Sequence, residues 1–182
     1  PALCNRIDRN TGGMVIAAKS AEALRVMNDK IRSREILKYY LCITLGRPTP
    51  AEGTLSGYLF KDESKKQVFV RRVPSPGAKT AITHYKTLLS RGALSLVECE
   101  LMTGRTHQIR AQFAAAGHPL LGDGKYGRGE INRRYGEEKQ ALYSYKLTFA
   151  FRTDAGALNY LNGKTVEIKN IPFCAKYFPD YH

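Results

Sequence analysis

The sequence predicts an α+β domain built on a mixed, largely antiparallel β-sheet flanked by a few helices. Three observations carry that expectation. Strand-like runs recur along the chain, most follow one another across short turns in hairpin order, and only two segments show a convincing helical period. No internal repeat or low-complexity tract interrupts them.

Taken in order, the chain opens on Asn5-Arg6-Ile7-Asp8-Arg9-Asn10-Thr11-Gly12-Gly13, a turn that sets one carboxylate among two arginines. Met14 to Ala18 reads as a short strand leaving that turn. Ser20 is placed to cap a helix whose Leu24, Met27 and Ile31 share a face, with Glu22 favourable in its first turn. From Ile36 to Leu45, Tyr39, Leu41 and Ile43 alternate with Tyr40, Cys42 and Thr44, a strong strand stopped by Gly46 and Pro48. Thr54 to Phe60 and Gln67 to Arg72 are shorter strands around the solvated tip Lys61 to Lys66, and Pro74-Ser75-Pro76-Gly77 is a break. Ala81 to Leu89 and Ala93 to Leu101 form an antiparallel pair across Ser90-Arg91-Gly92. The second helix runs from about Thr106 to Ala116 and stops at Gly117 and Pro119. Ala141 to Phe151 and Lys164 to Ile168 return to strands.

At 182 residues the chain buries about two-thirds of its unfolded surface in one domain over residues 1–182, without a disulfide or metal staple. It has no starting methionine and is expected to be a piece of something longer. No apolar run approaches the roughly 18 residues of a membrane span, and no secretory signal is read at the start. Twenty-nine Lys and Arg against sixteen Asp and Glu give a net charge of +13. The cations are scattered and interleaved with eleven tyrosines, which favours nucleic acid over a lipid surface as partner. Cys4, Cys42, Cys99 and Cys174 are too dispersed for a zinc site or a disulfide frame, and read as buried thiols of a reducing cytoplasm. His84, His107, His118 and His182 are likewise too far apart in sequence for a metal.

Two tempting motifs fail. Gly122-Asp123-Gly124-Lys125-Tyr126-Gly127 matches the dinucleotide fingerprint by letter but follows a helix, and the would-be calcium loop starting at Asp8 has Lys19 where a bidentate Glu is needed. What remains is Asp8 in a turn, Tyr40 in a strand, and Arg110 on the second helix at the edge of its Ile109, Phe113, Ala116 stripe, where it could reach a half-buried carboxylate. Each has a plain structural alternative as turn residue, packing residue or solvated cation.

Together these stretches resemble the motifs of the RluA-type pseudouridine synthases. Residues 6–13 are similar to R-L-D-x-x-T-S-G, Lys38 to Cys42 to K-x-Y-L-A, Thr103 to Arg110 to T-G-R-T-H-Q-I-R in full, and Gly117 to Asp123 to G-H-P-x-x-G-D. The chain departs with Gly12 for Ser, Gln112 for a second His, and Tyr143 for the His of an L-H-S-like segment. An upstream N-K-P-x-G segment is missing, so N-terminal strands and any N-terminal RNA-binding domain are expected outside this sequence.

The resemblance implies a pseudouridine synthase-like fold with a central RNA-binding cleft, and isomerisation of specific uridines in RNA with no cofactor and no metal. It implies Asp8 as the catalytic carboxylate, either nucleophile at C1′ or base at C2′, Arg110 as its ion-pair partner, and Tyr40 as stacking group and base at C5. Arg6, Arg105, His107 and Gln108 are carried over as RNA-binding residues, Arg6 entering the space of the flipped base. Ribosomal RNA is the commoner target among such relatives, with tRNA also used, and a monomer is the default. The rival readings are a non-catalytic basic RNA-binding module and a metal-independent nuclease using His107 and His118.

Overall fold

A ten-residue strand that is buried on both faces organises the molecule, in a computed structural model that describes residues 1–181. In chain order the elements are β1 (Ala2–Leu3), β2 (Gly12–Gly13), β3 (Ala17–Ala18), α1 (Ala21–Arg32), β4 (Ile36–Leu45), β5 (Glu52–Asp62), β6 (Gln67–Arg71), β7 (Lys79–Arg91) and β8 (Leu94–Leu101). They continue as α2 (Gln108–Ala115), α3 (Gly129–Tyr135), β9 (Leu142–Phe149), a 3-10 turn (Gly156–Leu161), β10 (Thr165–Glu167) and α4 (Pro172–Tyr177). The main sheet runs β10-β9-β4-β8-β7-β5-β6 with antiparallel neighbours, and β2 pairs parallel with β9, so the sheet is mixed and largely antiparallel as expected.

The central strand β4 explains its own sequence. Leu41, Ile43 and Leu45 pack with Leu96, Leu121, Ile171 and Phe178 on one face. Tyr40 and Cys42 pack with Val97, Cys99, Ile109 and Phe113 on the other. With both faces covered, apolar side chains are favoured at consecutive positions rather than alternate ones. Register with β9 slips between Tyr39 and Tyr40, leaving Tyr145 unmatched, a bulge at the strand position that faces the site.

Several expectations need correcting. Of the strand expected over Met14–Ala18 only Ala17–Ala18 forms, Ile16 N–H donating instead to the Asn5 side chain (2.7 Å), while Gly12–Gly13, expected as turn, forms the short strand β2. Helix α2 starts at Gln108 rather than Thr106, since His107 takes a left-handed conformation (φ 54°) that breaks the helix before it. Gln108 through Phe113 are all buried in α2, so Arg110 lies inside the molecule instead of at the edge of a core face. Helices α3 and α4 were not expected. Cys4 is only partly buried, whereas Cys42, Cys99 and Cys174 are buried free thiols. His182 lies outside the described residues.

Ser20 caps α1 as expected, its hydroxyl accepting from Ala23 N–H at 3.1 Å. At the far end of the helix Lys30 and Glu35 form a buried pair (2.9 Å), and Thr153 bonds to both. Lys30, with the Arg152 and Thr153 amides, holds the Glu35 carboxyl well below the usual carboxylate range against the opposing effect of burial. Among the described residues no helix is long and apolar enough to cross a membrane.

Candidate active site

The segment carrying Asp8 is fixed both by its neighbours in sequence and by residues 140–144. Cys4 N–H donates to Ile16 O (2.8 Å), and the turn closes with Thr11 N–H on Asp8 O (3.0 Å). Gln140 donates its side-chain amide to Arg9 O at 2.6 Å. Gly12 and Gly13 then lie against Tyr143 and Ser144. At Gly13, with φ +105°, a Cβ would stand 2.1 Å from Ser144 O, so only glycine fits that approach.

Arg110 reaches this turn from α2. Its Nη1 is 3.4 Å from Asp8 Oδ2, across 102 residues of sequence. Its stronger partner is Asp123: Nε meets Oδ2 at 2.7 Å and Nη2 meets Oδ1 at 3.1 Å. Burial alone would push the Asp123 carboxyl up and the Arg110 guanidinium down. Their mutual bonds outweigh it, so Asp123 is held below and Arg110 above the ordinary value, and both stay charged. The Tyr126 ring lies 5.2 Å from the guanidinium, and its hydroxyl meets His107 Nδ1 and Val68 N–H, both at 2.8 Å.

A cleft of about 560 Å³ opens over Asp8, lined by Arg6, Lys38, Tyr40, Arg105 and Leu142 among others. Tyr40 is 6% exposed. Burial, and to a lesser degree the Asp8 charge, raises its phenol, while the nearby Ser144 hydroxyl, itself without a formal partner, pulls it partly back. Lys38 points its ammonium past Gly104, and burial lowers its pKa.

The other expected site residues separate into two groups. Arg6 and Arg105 are exposed on the cleft, Arg105 steadied by donating Nε to Thr80 O at 3.0 Å. Gln108 borders the cleft, but its polar atoms are committed inward. It accepts from Thr103 Oγ1 (2.7 Å) and Arg105 N–H (3.0 Å), and donates to Ile82 O and Thr83 Oγ1. It holds the loop that leads to α2. His107 is half-buried behind the cleft on Tyr126, and its imidazole is held below its usual pKa, chiefly by burial.

His107 and His118 sit at opposite ends of the eight-residue α2, about 12 Å of helix apart, with His118 bonded to Leu45 O. A two-histidine nuclease centre is therefore not assembled. The rejected glycine motif has a packing reason: a Cβ on Gly122 would stand 2.0 Å from Lys139 O, and one on Gly127 would stand 2.1 Å from Asp123 O. Among the described residues no three His, Cys, Asp or Glu side chains cluster as a metal site. Asp123 and Tyr126 were not anticipated as site residues; the signal was present as the last letter of Gly117-His118-Pro119-Leu120-Leu121-Gly122-Asp123.

Residues 1–115 match the model of a family described as RNA pseudouridylate synthase. Among similar proteins, an uncharacterized RNA pseudouridine synthase of Bacillus subtilis (strain 168) is 38% identical over 147 residues, 79% of this chain and 46% of that protein. Ribosomal large subunit pseudouridine synthase D of Zymomonas mobilis is 31% identical over 174 residues, 92% of this chain and 51% of that protein. The chain thus spans about half the length of the curated relatives it matches. The solved structure of Human RNA Pseudouridylate Synthase Domain Containing 4 superposes with a TM-score of 0.74 at 24% identity, covering 94% of this chain and 72% of that one, a likeness of fold.

Proposed function

The chain belongs to the RNA pseudouridylate synthase family, and from that premise we propose that it converts uridine in RNA to pseudouridine at the cleft over Asp8. The observation that carries the reading is the contact between Asp8 and Arg110 on the floor of a cleft walled by Tyr40 and bordered by cations. The N1–C1′ bond breaks, the uracil turns, and C5 joins the same C1′. A proton leaves C5 and one is gained at N1, so composition is unchanged and no electrons are exchanged with a cofactor.

Asp8 attacks C1′ or removes the C2′ proton, and either role needs the carboxylate held in one direction, which the guanidinium supplies. Tyr40 stacks on the uracil and accepts the C5 proton. That proton sits on a saturated carbon beside a carbonyl, and its loss restores ring conjugation, which eases the demand on a weak base. Arg6 is exposed and makes no side-chain bond among the described residues, which suits a side chain that fills the gap left by the extruded base.

The substrate we favour is ribosomal RNA of the large subunit. Two relatives bearing that name, from Borreliella burgdorferi and Zymomonas mobilis, support it at 31% identity each. The test is release of tritium from RNA labelled at uridine C5. Asp8→Asn is expected to abolish release while RNA affinity stays near that of the native protein. Undiminished release from Asp8→Asn would remove Asp8 from the mechanism, and no release by the native protein from any RNA would favour a binding module.

A further inference from the structure

We propose that Asp123 is the positioning residue of this site: it grips Arg110 at two points and takes up part of its charge, leaving a single donor facing Asp8 and that carboxylate free to react. The proposal rests on the functional reading above and deepens it.

The geometry is asymmetric. Asp123 binds Nε and Nη2 at 2.7 and 3.1 Å, whereas Asp8 receives only Nη1, at 3.4 Å. The Asp123 side chain is 0% exposed and that of Asp8 is 21% exposed, so water competes for the second carboxylate and not for the first. Asp123 is itself immobilised, because its Oδ1 also accepts from Lys125 N–H (2.8 Å) and Tyr126 N–H (2.9 Å), and its carbonyl accepts from Asn132 Nδ2 (3.1 Å). The same turn places the Tyr126 ring on Arg110, so the guanidinium is held on an edge and on a face.

Without Asp123, Arg110 has one carboxylate to neutralise it. A two-point pair with Asp8 would tie up both oxygens of the group that has to attack or abstract. A cation with its charge undivided would also favour ionised Asp8 more strongly and make it a poorer nucleophile or base. Asp123 therefore prevents the attraction between Asp8 and Arg110 from becoming too complete.

Asp123→Asn removes the charge and one acceptor. The expected result is a fall in kcat of about a hundredfold with KM unchanged, and an acid limb of the rate profile displaced to lower pH, since a stronger cationic neighbour keeps a carboxylate ionised to lower pH. In the nitrogen spectrum the Arg110 Nε–H should be resolved and slow to exchange in the native protein, and exchange freely in Asp123→Asn with the backbone amide spectrum retained. Asp123→Glu, which keeps the charge and displaces the fork, should lower kcat and leave the acid limb in place. It carries the test if the Asn variant does not fold. An acid limb that does not move in Asp123→Asn, an Arg110 Nε–H that stays protected there, or native kcat in Asp123→Glu overturns the proposal. The Arg110 signal needs no turnover. Loss of protection in the variant of a protein that releases no tritium would uphold the grip and overturn the functional reading instead.

Discussion

Tyr40 illustrates how much a single side chain is asked to do. Its phenol is buried beside a carboxylate, and both influences push its ionisation upward, away from the range in which a phenol is a ready base. The same burial presses the ring against the cleft, where stacking on a base needs no ionisation at all. Tyr40→Phe separates the two roles. It should keep RNA affinity, change thermal stability by no more than about 1 kcal/mol, and slow tritium release about a hundredfold to ten-thousandfold. An unchanged rate with unchanged affinity would assign Tyr40 to stacking alone. Asp8, Tyr40 and Arg110 were legible because they fall in motifs of recognisable order. Asp123 also ends a motif, but its pairing was not legible, since no helical or strand period links it to Arg110 thirteen residues earlier and the contact forms only where a turn folds back on α2. Gln108 shows what a motif does not display: a polar residue there reads as a ligand contact, while its hydrogen bonds are internal.

Among elements, the pairing of β2 with β9 explains two departures from the family pattern that look unrelated in sequence. Gly12, which replaces a serine, lies opposite Tyr143, which replaces a histidine, and a Cβ on Gly12 would stand 2.5 Å from the Tyr143 ring. The larger ring occupies the room that the missing side chain leaves. Gly12→Ser alone should therefore destabilise the protein, Gly12→Ser with Tyr143→His should recover the loss, and the coupling should be about 0.5–3 kcal/mol in a double-mutant cycle read by thermal unfolding. Additive effects would dissociate the two positions. Long elements were the legible ones. Strand β4 has its expected bounds, and α1 its cap, because rhythm and end signals agree there. Helices α3 and α4, of seven and six residues, carry too few turns for a period to register and depend on packing against the rest of the molecule.

For the molecule as a whole, part of the charge of +13 gathers around the cleft. Arg32, Arg34, Lys38 and Arg105 border the cleft beside Arg6, whose proposed place is the gap left by the extruded base. With four such cations on phosphates of a single-stranded segment, log affinity for RNA should fall with log salt at a slope of about −3, and Arg34→Ala should flatten it by about 0.7. A slope near zero would dissociate these cations from binding. The sheet class was legible from composition and rhythm, whereas a cleft was expected only through the family resemblance, because it exists only once β4, β8, α1 and the N-terminal segment meet. The attachment of that segment to residues 140–144 has a consequence for biosynthesis. Asp8 leaves the ribosome more than a hundred residues ahead of the groups that anchor its turn, Gln140, Tyr143 and Ser144. Until then the turn has nothing to lie against, so in a nascent chain the Asp8 carboxylate stays unset until the sheet is complete.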